Sequence, residues 1–235
     1  LEILVDPYLS NSVQEMDAPD LLRKYPIQYK PEDLRNIDWV LITHEHIDHC
    51  DPKTIPILAK NNKKTKFIGP LPVRKLLLEW GIEKERIIPA KKNVIFLGES
   101  LTVTPTLAVH PKISIEEDNY PSALGWFFNI NGMTLYSSGD TSLCDEIITE
   151  LKNLPTINIG LLPVNEDNFF RRKRGIIGNM TIREAFGLAD EIGMERVLPV
   201  HWDLFDVNGA LKEEIEAIYK GYNWKFKLIM DFNQI

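Results

Sequence analysis

The sequence lacks the features that mark secreted, membrane-spanning or nucleic-acid-binding proteins. Its only cysteines are Cys50 and Cys144, which excludes a disulfide framework and favours a reducing cytoplasm. No apolar run approaches the length of a transmembrane helix, so we expect no membrane association. The net charge of −7 argues against nucleic acid as a partner, because such binding relies on basic surface.

The composition of the chain is that of a globular protein, with 44% hydrophobic and 26% charged residues. We find no internal repeat, linker or secretion signal, and 235 residues suffice for a sizeable core, so we expect a single domain over residues 1–235. The chain begins at Leu1 inside an apolar run and without an initiator Met, and we therefore expect a leading segment outside this sequence.

Histidine is also scarce, and its distribution is uneven. The chain has five histidines, and three of them fall in Thr43-His44-Glu45-His46-Ile47-Asp48-His49-Cys50-Asp51, directly after the apolar residues 39–42. Neutral imidazoles and carboxylates are ligand types that zinc and manganese accept. The alternative is a polar turn, which requires four of the six residues 44–49 to be ligand types by accident. The motif therefore predicts a metal site.

Four more polar residues stand at the ends of apolar runs that we interpret as strands: Asp6, His110, Asp140 and His201. Each alone would most often be a turn residue. Polar side chains at several strand ends form a site when those ends meet along one edge of the sheets. We therefore expect these residues to join the histidine motif.

Local patterns predict several elements around these positions. Asn131-Gly132 between apolar runs predicts a hairpin of residues 124–130 and 133–137. Thr181 and Glu184 form a capping box, which predicts a helix ending near Gly193. Asp51-Pro52 suits the start of another helix. The close spacing of three apolar runs favours antiparallel pairing of residues 86–89, 93–97 and 101–109, and residues 225–231 read as a closing strand.

The ordered set of ligand types resembles the metallo-β-lactamase superfamily, in which an Asp, a His-x-His-x-Asp-His motif and a later His, Asp and His follow successive strands. The resemblance spans almost the whole chain, and it implies that the first N-terminal strand of the domain is absent from this sequence. It implies an αββα sandwich, with two mixed sheets face to face and helices outside, and a dinuclear metal site. The implied ligands of the first metal are His44, His46 and His110, those of the second are Asp48, His49 and His201, and Asp140 bridges both. Asp6 and Asp203 would orient ligands through hydrogen bonds.

A closer resemblance is to the L-ascorbate-6-phosphate lactonases, which are cytoplasmic, manganese-dependent enzymes. It is carried by Phe67-Ile68-Gly69-Pro70, Trp80-Gly81, Ser138-Gly139-Asp140, Met180-Thr181 and Pro199-Val200-His201-Trp202-Asp203. Residues 112–122 depart from those enzymes. The resemblance implies a lactonase that opens L-ascorbate 6-phosphate or a similar sugar-acid lactone, with one or two Mn²⁺ or Zn²⁺ ions per chain.

The predicted ligands indicate hydrolytic chemistry. Two neighbouring divalent ions bring the pKa of a bound water near neutrality and polarise a carbonyl, so we hypothesise attack of metal-bound hydroxide on the lactone, with Asp48 or Asp140 managing the proton. Two alternatives remain: another hydrolase on the same scaffold, such as a phosphodiesterase or N-acyl hydrolase, and a non-catalytic metal-binding module.

The basic residues 171–174 are the candidates for binding an anionic substrate. Arg171, Arg172 and Arg174 could hold a phosphate through charge-assisted hydrogen bonds, and Asn179 lies close to them in sequence. The alternative is a solvated basic loop. A homo-oligomeric assembly of the protein is also compatible with the sequence.

Two rival readings of the motif are weaker. A zincin needs His-Glu-x-x-His on a helix, whereas position 48 is Asp and the motif follows a strand. Glu45 is therefore expected to face solvent or neighbouring ligands. Cys50 is expected to be a small buried hydrophobe and not a nucleophile.

Overall fold

The structure is a computed structural model that describes residues 1–115 and 121–234. Residues 116–120, within the segment 112–122 that departs from the lactonases, lie outside the described residues. The chain divides into two compact units, Leu1–Asn93 with Ser114–Ala123 and Val94–Ile113 with Leu124–Ile235. The single-domain interpretation stays a prediction.

The first unit contains a four-stranded sheet in the order β1-β2-β3-β4. Its strands are β1 (Ile3–Val5), β2 (Trp39–Leu41), β3 (Lys66–Gly69) and β4 (Ile87–Pro89), and its helices are α1 (Ser12–Met16), α2 (Ile55–Asn61) and α3 (Leu71–Glu79). Every pairing in this sheet is parallel. Parallel neighbours need crossover connections, and α2 and α3 supply those between β2, β3 and β4.

The core of the first unit explains why the histidine motif has a fixed position. Val40 and Phe67 from the sheet are fully buried with Leu58 of α2 and Leu77 of α3. Cys50 belongs to the same cluster. The histidines of the motif therefore lie between core residues, because β2 precedes them and the buried Cys50 follows His49.

The second unit contains a seven-stranded mixed sheet in the order β11-β10-β9-β8-β7-β6-β5. Its strands are β5 (Ile95–Gly98), β6 (Leu101–Leu107), β7 (Leu124–Ile130), β8 (Met133–Ser137), β9 (Ile159–Pro163), β10 (Arg196–Val200) and β11 (Lys227–Leu228), and its helices are α4 (Asp145–Lys152), α5 (Phe169–Lys173), α6 (Ile182–Ile192) and α7 (Lys212–Lys220). Strands β5 to β8 pair antiparallel, and β8 to β11 pair parallel.

Aromatic side chains fill the core of this second unit. Phe186 of α6 is fully buried and makes edge-on contacts with Tyr219, Trp224 and Phe226.

Across residues 1–115 and 121–234, no helix combines the length and apolar character needed to cross a bilayer.

Several local predictions are confirmed. The hairpin has the predicted strands, and Asn131 (φ 53°) and Gly132 (φ 88°) both take positive φ, as a type I′ turn requires. Both hydrogen bonds of the Thr181–Glu184 capping box are present, and Gly193 ends α6 in the left-handed conformation.

Three predictions were wrong in position or partner. Residues 86–89 do not pair with the strands after them, because β4 aligns parallel with β3 in the other sheet. Helix α2 begins at Ile55 and not at Asp51-Pro52, since the Asp51 carboxylate accepts from Lys53 N and Thr54 Oγ1 and closes a turn first. The closing strand of residues 225–231 shortens to Lys227–Leu228.

Candidate metal centre

In the first unit, the predicted ligands follow the carboxyl ends of two adjacent parallel strands. Asp6 follows β1 and the histidine motif follows β2. The Asp6 backbone N–H donates to Leu41 O at 3.0 Å, which continues the strand pairing up to the motif. We call His44, His46, Asp48 and His49 the first cluster.

Ligand atoms of the first cluster lie close together. Nε2 of His44 is 3.0 Å from Nδ1 of His46, and Nε2 of His49 is 3.6 Å from Oδ2 of Asp48. Two ligands bound at the usual distance to one ion, at tetrahedral or octahedral angles, are separated by roughly 3.0–3.6 Å. The two contacts thus have the spacing of neighbouring metal ligands.

The Asp6 carboxylate orients two of these imidazoles. Its Oδ2 accepts from Nδ1 of His49 at 2.8 Å and from the Thr43 hydroxyl at 2.7 Å, and Oδ1 accepts from the Thr43 backbone N–H. The Thr43 oxygen in turn lies 3.0 Å from Nδ1 of His44. An ionised carboxylate only accepts, so this arrangement places a hydrogen on each Nδ1 and leaves Nε2 as the unprotonated nitrogen of each ring.

In the second unit, three predicted ligands also come together. His110, Asp140 and His201 follow β6, β8 and β10 and form what we call the second cluster. Oδ2 of Asp140 lies 3.7 Å from Nε2 of His110 and 3.4 Å from Nε2 of His201. The carboxylate is therefore placed between two imidazoles, and it is 5% exposed, so these charges and dipoles interact with little solvent screening.

Thr141 fixes His110 relative to Asp140. Its hydroxyl accepts from the Val109 backbone N–H at 2.9 Å, and the Ser142 N–H donates to Val109 O at 2.9 Å. These bonds join the residues just before His110 to those just after Asp140. Neither this role of Thr141 nor that of Thr43 was predicted, although each hydroxyl stands directly next to a predicted ligand in the sequence.

The donor set of each cluster fits a divalent ion. Imidazole nitrogen and carboxylate oxygen suit borderline and harder divalent metals such as zinc and manganese. In addition, the His49 ring is held through its other nitrogen by a carboxylate, which is the usual arrangement around a metal-bound imidazole.

The predicted substrate-binding residues have different surroundings. Arg171 donates to the backbone carbonyls of Glu166, Val207 and Gly209, and its partial burial lowers its pKa. Asn179 is buried, and its side-chain N–H donates to Asn165 Oδ1 at 2.8 Å. Arg172 is exposed and paired with Asp167. Arg174 is exposed at the end of α5.

Two cavities border this basic segment. A cavity of about 360 Å³ is lined by Arg172, Asp167, Pro111, Ser142 and residues 175–178. Pro111 directly follows His110 in the sequence, and Ser142 lies two positions after Asp140. A more open one of about 660 Å³ is lined by Phe170, Arg171, Arg174, Asn168, Lys173 and Val207. Two residues that line the smaller cavity are thus neighbours in sequence of members of the second cluster.

Three other residues singled out in the sequence lie near the clusters. Cys50 is 1% exposed. Burial is the main cause that raises its pKa, and the nearby carboxylates raise it further, so the side chain stays a protonated thiol. Glu45 is exposed, as expected. Asp203 is half-buried in the bend after β10, and its ligand-orienting role stays a prediction.

Comparisons with known proteins agree with this geometry. The family model described as "Beta-lactamase superfamily domain" matches residues 2–202. The chain is 27% identical over 212 residues to "Probable L-ascorbate-6-phosphate lactonase UlaG" of Escherichia fergusonii, covering 85% of this chain but only 58% of that protein.

Two solved structures show the same fold. Igni18, a metallo hydrolase from Ignicoccus hospitalis, superposes with a TM-score of 0.68 at 21% identity, covering 97% of this chain and 86% of the other. The metallo-β-lactamase fold protein YhfI from Bacillus subtilis gives a TM-score of 0.59 at 15% identity, covering 82% and 73%. The chain therefore belongs to the β-lactamase superfamily, and its two sheets flanked by helices have the fold of the metallo-β-lactamase-type hydrolases.

Proposed function

We propose that the protein is a metal-dependent hydrolase with one or two divalent ions per chain. The observation that carries this proposal is the arrangement of Asp140 between His110 and His201, together with the imidazoles that Asp6 orients in the first cluster. A buried carboxylate between two imidazoles is an arrangement that a shared cation stabilises.

The ligand assignment follows the superfamily pattern. We propose that one ion is held by His44, His46 and His110, and a second by Asp48, His49 and His201, with Asp140 bridging them. Asp6 orients the imidazoles of His49 and, through Thr43, of His44. Membership of the family over residues 2–202 supports this assignment, since all seven residues fall within that match.

Divalent ions held by these residues would activate a water molecule near neutral pH and polarise the attacked carbonyl. The protein supplies the proton acceptor, for which Asp48 and Asp140 are the candidates. Asp140 is the more buried of the two, whereas Asp48 is half-buried and can exchange protons with solvent more readily.

For the substrate, we propose a sugar-acid lactone such as L-ascorbate 6-phosphate. The similarity to the lactonase UlaG supports it. The cavity of about 360 Å³ beside Pro111 and Ser142 has the dimensions of a small-molecule site. Arg172 lines this cavity and carries the positive charge that a phosphate would contact. Arg174 and Asn179 are further candidates for contact with the substrate.

Metal analysis coupled to a substrate panel tests the function. Protein purified without added metal is analysed for Mn and Zn, then chelated, reloaded with each metal, and assayed for lactone opening and for phosphodiester and N-acyl cleavage. We expect lactone opening that chelation abolishes and one of the two metals restores. Phosphodiester or N-acyl cleavage alone would transfer the assignment to that hydrolase class. Activity that survives complete metal removal would contradict the proposal.

A further inference from the structure

His201 occupies a backbone conformation that its surroundings must maintain. Its φ is 60°, in the left-handed region that residues with a β-carbon rarely adopt. Such a conformation persists where neighbouring structure over-determines it, commonly at functional sites. The segment that follows β10 must therefore be held in place for Nε2 of His201 to stay 3.4 Å from Oδ2 of Asp140.

The segment after His201 closes on itself. The Ala210 backbone N–H donates to Trp202 O at 2.9 Å, and the Trp202 indole N–H donates to Pro199 O at 3.1 Å. Gly209 lies at the closure, where a β-carbon would stand 2.3 Å from Trp202 O. Residues 202–210 thus form a compact loop.

Arg171 joins this loop to the segment after β9. Its Nε donates to Val207 O at 3.3 Å, its Nη2 donates to Gly209 O, and its Nη1 donates to Glu166 O at 2.6 Å. All three guanidinium nitrogens therefore donate to backbone carbonyls. Only the planar fork of arginine reaches three acceptors in this way.

A buried chain of side-chain amides makes a parallel connection. Asn179 donates to Asn165 Oδ1 at 2.8 Å, and Asn165 donates to Asn208 Oδ1 at 3.1 Å. Asn208 lies in the same loop as Val207 and Gly209. The bonds of Arg171 and the chain of amides are therefore two independent sets of hydrogen bonds that fix this loop to the segment after β9.

We propose that Arg171 is a positioning residue that holds the 202–210 loop, and through it His201, in the geometry that binds the metal ion. This inference rests on the proposed function, and it assigns Arg171 a role different from contact with the substrate phosphate. Residues that orient metal ligands change metal affinity about 10- to 100-fold when replaced.

The test compares Arg171→Ala and Arg171→Lys with Lys173→Ala, which removes one exposed charge from the same helix. Affinity for Co²⁺ and Zn²⁺ is measured by competition with a coloured chelator, and the visible spectrum of the Co²⁺-loaded protein reports the ligand geometry. Circular dichroism and thermal melting of the metal-free variants establish that each is folded.

We expect the Arg171→Ala variant to bind the more weakly held ion at least about 10-fold less tightly than the wild type does, and we expect its Co²⁺ spectrum to change. Arg171→Lys should recover only part of the affinity, because one ammonium cannot replace the three-way fork, and Lys173→Ala should match the wild type. If a folded Arg171→Lys or Arg171→Ala binds both ions normally and raises only the Michaelis constant for a phosphorylated lactone, the inference is overturned. A wild-type protein that binds no divalent ion would instead refute the proposed function.

Discussion

Nδ1 of His49 lies 2.8 Å from Oδ2 of Asp6, although the two residues are 43 positions apart. The parallel pairing of β1 with β2 brings them together, since each residue follows one of these strands. The contact fixes both the tautomer and the ring plane of a predicted ligand.

Replacing Asp6 should therefore weaken metal binding without removing a ligand. Asp6→Ala is expected to lower the affinity for a divalent ion by about 10- to 100-fold, because His49 and Thr43 lose their common acceptor. Titration calorimetry on the metal-free protein measures this. Asp38→Ala removes an exposed carboxylate that accepts from Glu2 N in the same unit and should change little. Equal affinities in the two variants would refute the orienting role.

Asp140→Asn should remove one anionic ligand while preserving the side-chain shape. We expect the bound metal to fall toward one ion per chain and kcat to fall by at least about 100-fold, because the variant loses both bridging charge and a candidate proton acceptor. Metal content and turnover are measured on the same sample. The control is Asp145→Asn, at the exposed start of α4. Full activity in Asp140→Asn would count against the assigned ligand set.

Arg172→Ala should impair recognition of an anionic substrate selectively. Because Arg172 is exposed and already paired with Asp167, we expect the Michaelis constant for a phosphorylated lactone to rise only roughly two- to fivefold. The dephosphorylated analogue should be unaffected, and the effect should shrink as salt is added. Lys152→Ala, which removes a charge that is paired with Glu191 and lies outside this basic segment, is the matched control. Equal changes for both substrates would show that Arg172 does not contact the phosphate.

The two cysteines should differ in chemical reactivity. Cys50 is 1% exposed, whereas Cys144 is partly exposed at the start of α4. Iodoacetamide should label Cys144 in the folded protein and Cys50 only after unfolding, as mass spectrometry of the peptides can show. Burial raises the pKa of Cys144, so its labelling should increase as pH rises above the ordinary thiol range. Rapid labelling of Cys50 in the native state would contradict its place in the core.

Phe186→Ala should destabilise the second unit strongly. The side chain is fully buried among Tyr219, Trp224 and Phe226, and its loss leaves a cavity that costs about 3–5 kcal/mol of unfolding free energy. Urea denaturation measures the change. Phe170→Ala, with a ring that is 75% exposed, should stay within about 0.5 kcal/mol of the wild type. Similar losses in both variants would be inconsistent with the described core.

Local sequence signals predicted those elements that depend on neighbouring residues. The hairpin at Asn131-Gly132 and the capping box at Thr181 each use contacts within a few positions, and the metal motif is itself contiguous. Residues 110, 140 and 201 were singled out because they stand at the ends of apolar runs, and each of them follows a strand as expected. The family resemblance added their roles as metal ligands, which stay predictions.

Interactions distant in sequence were not predictable in this way. Spacing alone suggested that residues 86–89 pair with the strands after them, yet β4 pairs with β3. Arg86 donates to the carbonyls of Ala59, Asn62 and Thr65, more than 20 positions earlier, which holds β4 there. Arg171 was likewise predicted to bind a substrate phosphate, because its carbonyl partners Val207 and Gly209 lie over 30 positions away and could not be recognised.

The hydrogen bonds from His49 and Thr43 to Asp6 also bear on how the protein would exchange its ions. They join protein groups only, and the motif is bounded by buried residues of β2 and by Cys50. The imidazoles of His44 and His49 are thus held by the fold itself. Unlike a zinc finger, which unfolds without its ion, this unit should keep its secondary structure after chelation, so that one preparation can be stripped and reloaded with different metals.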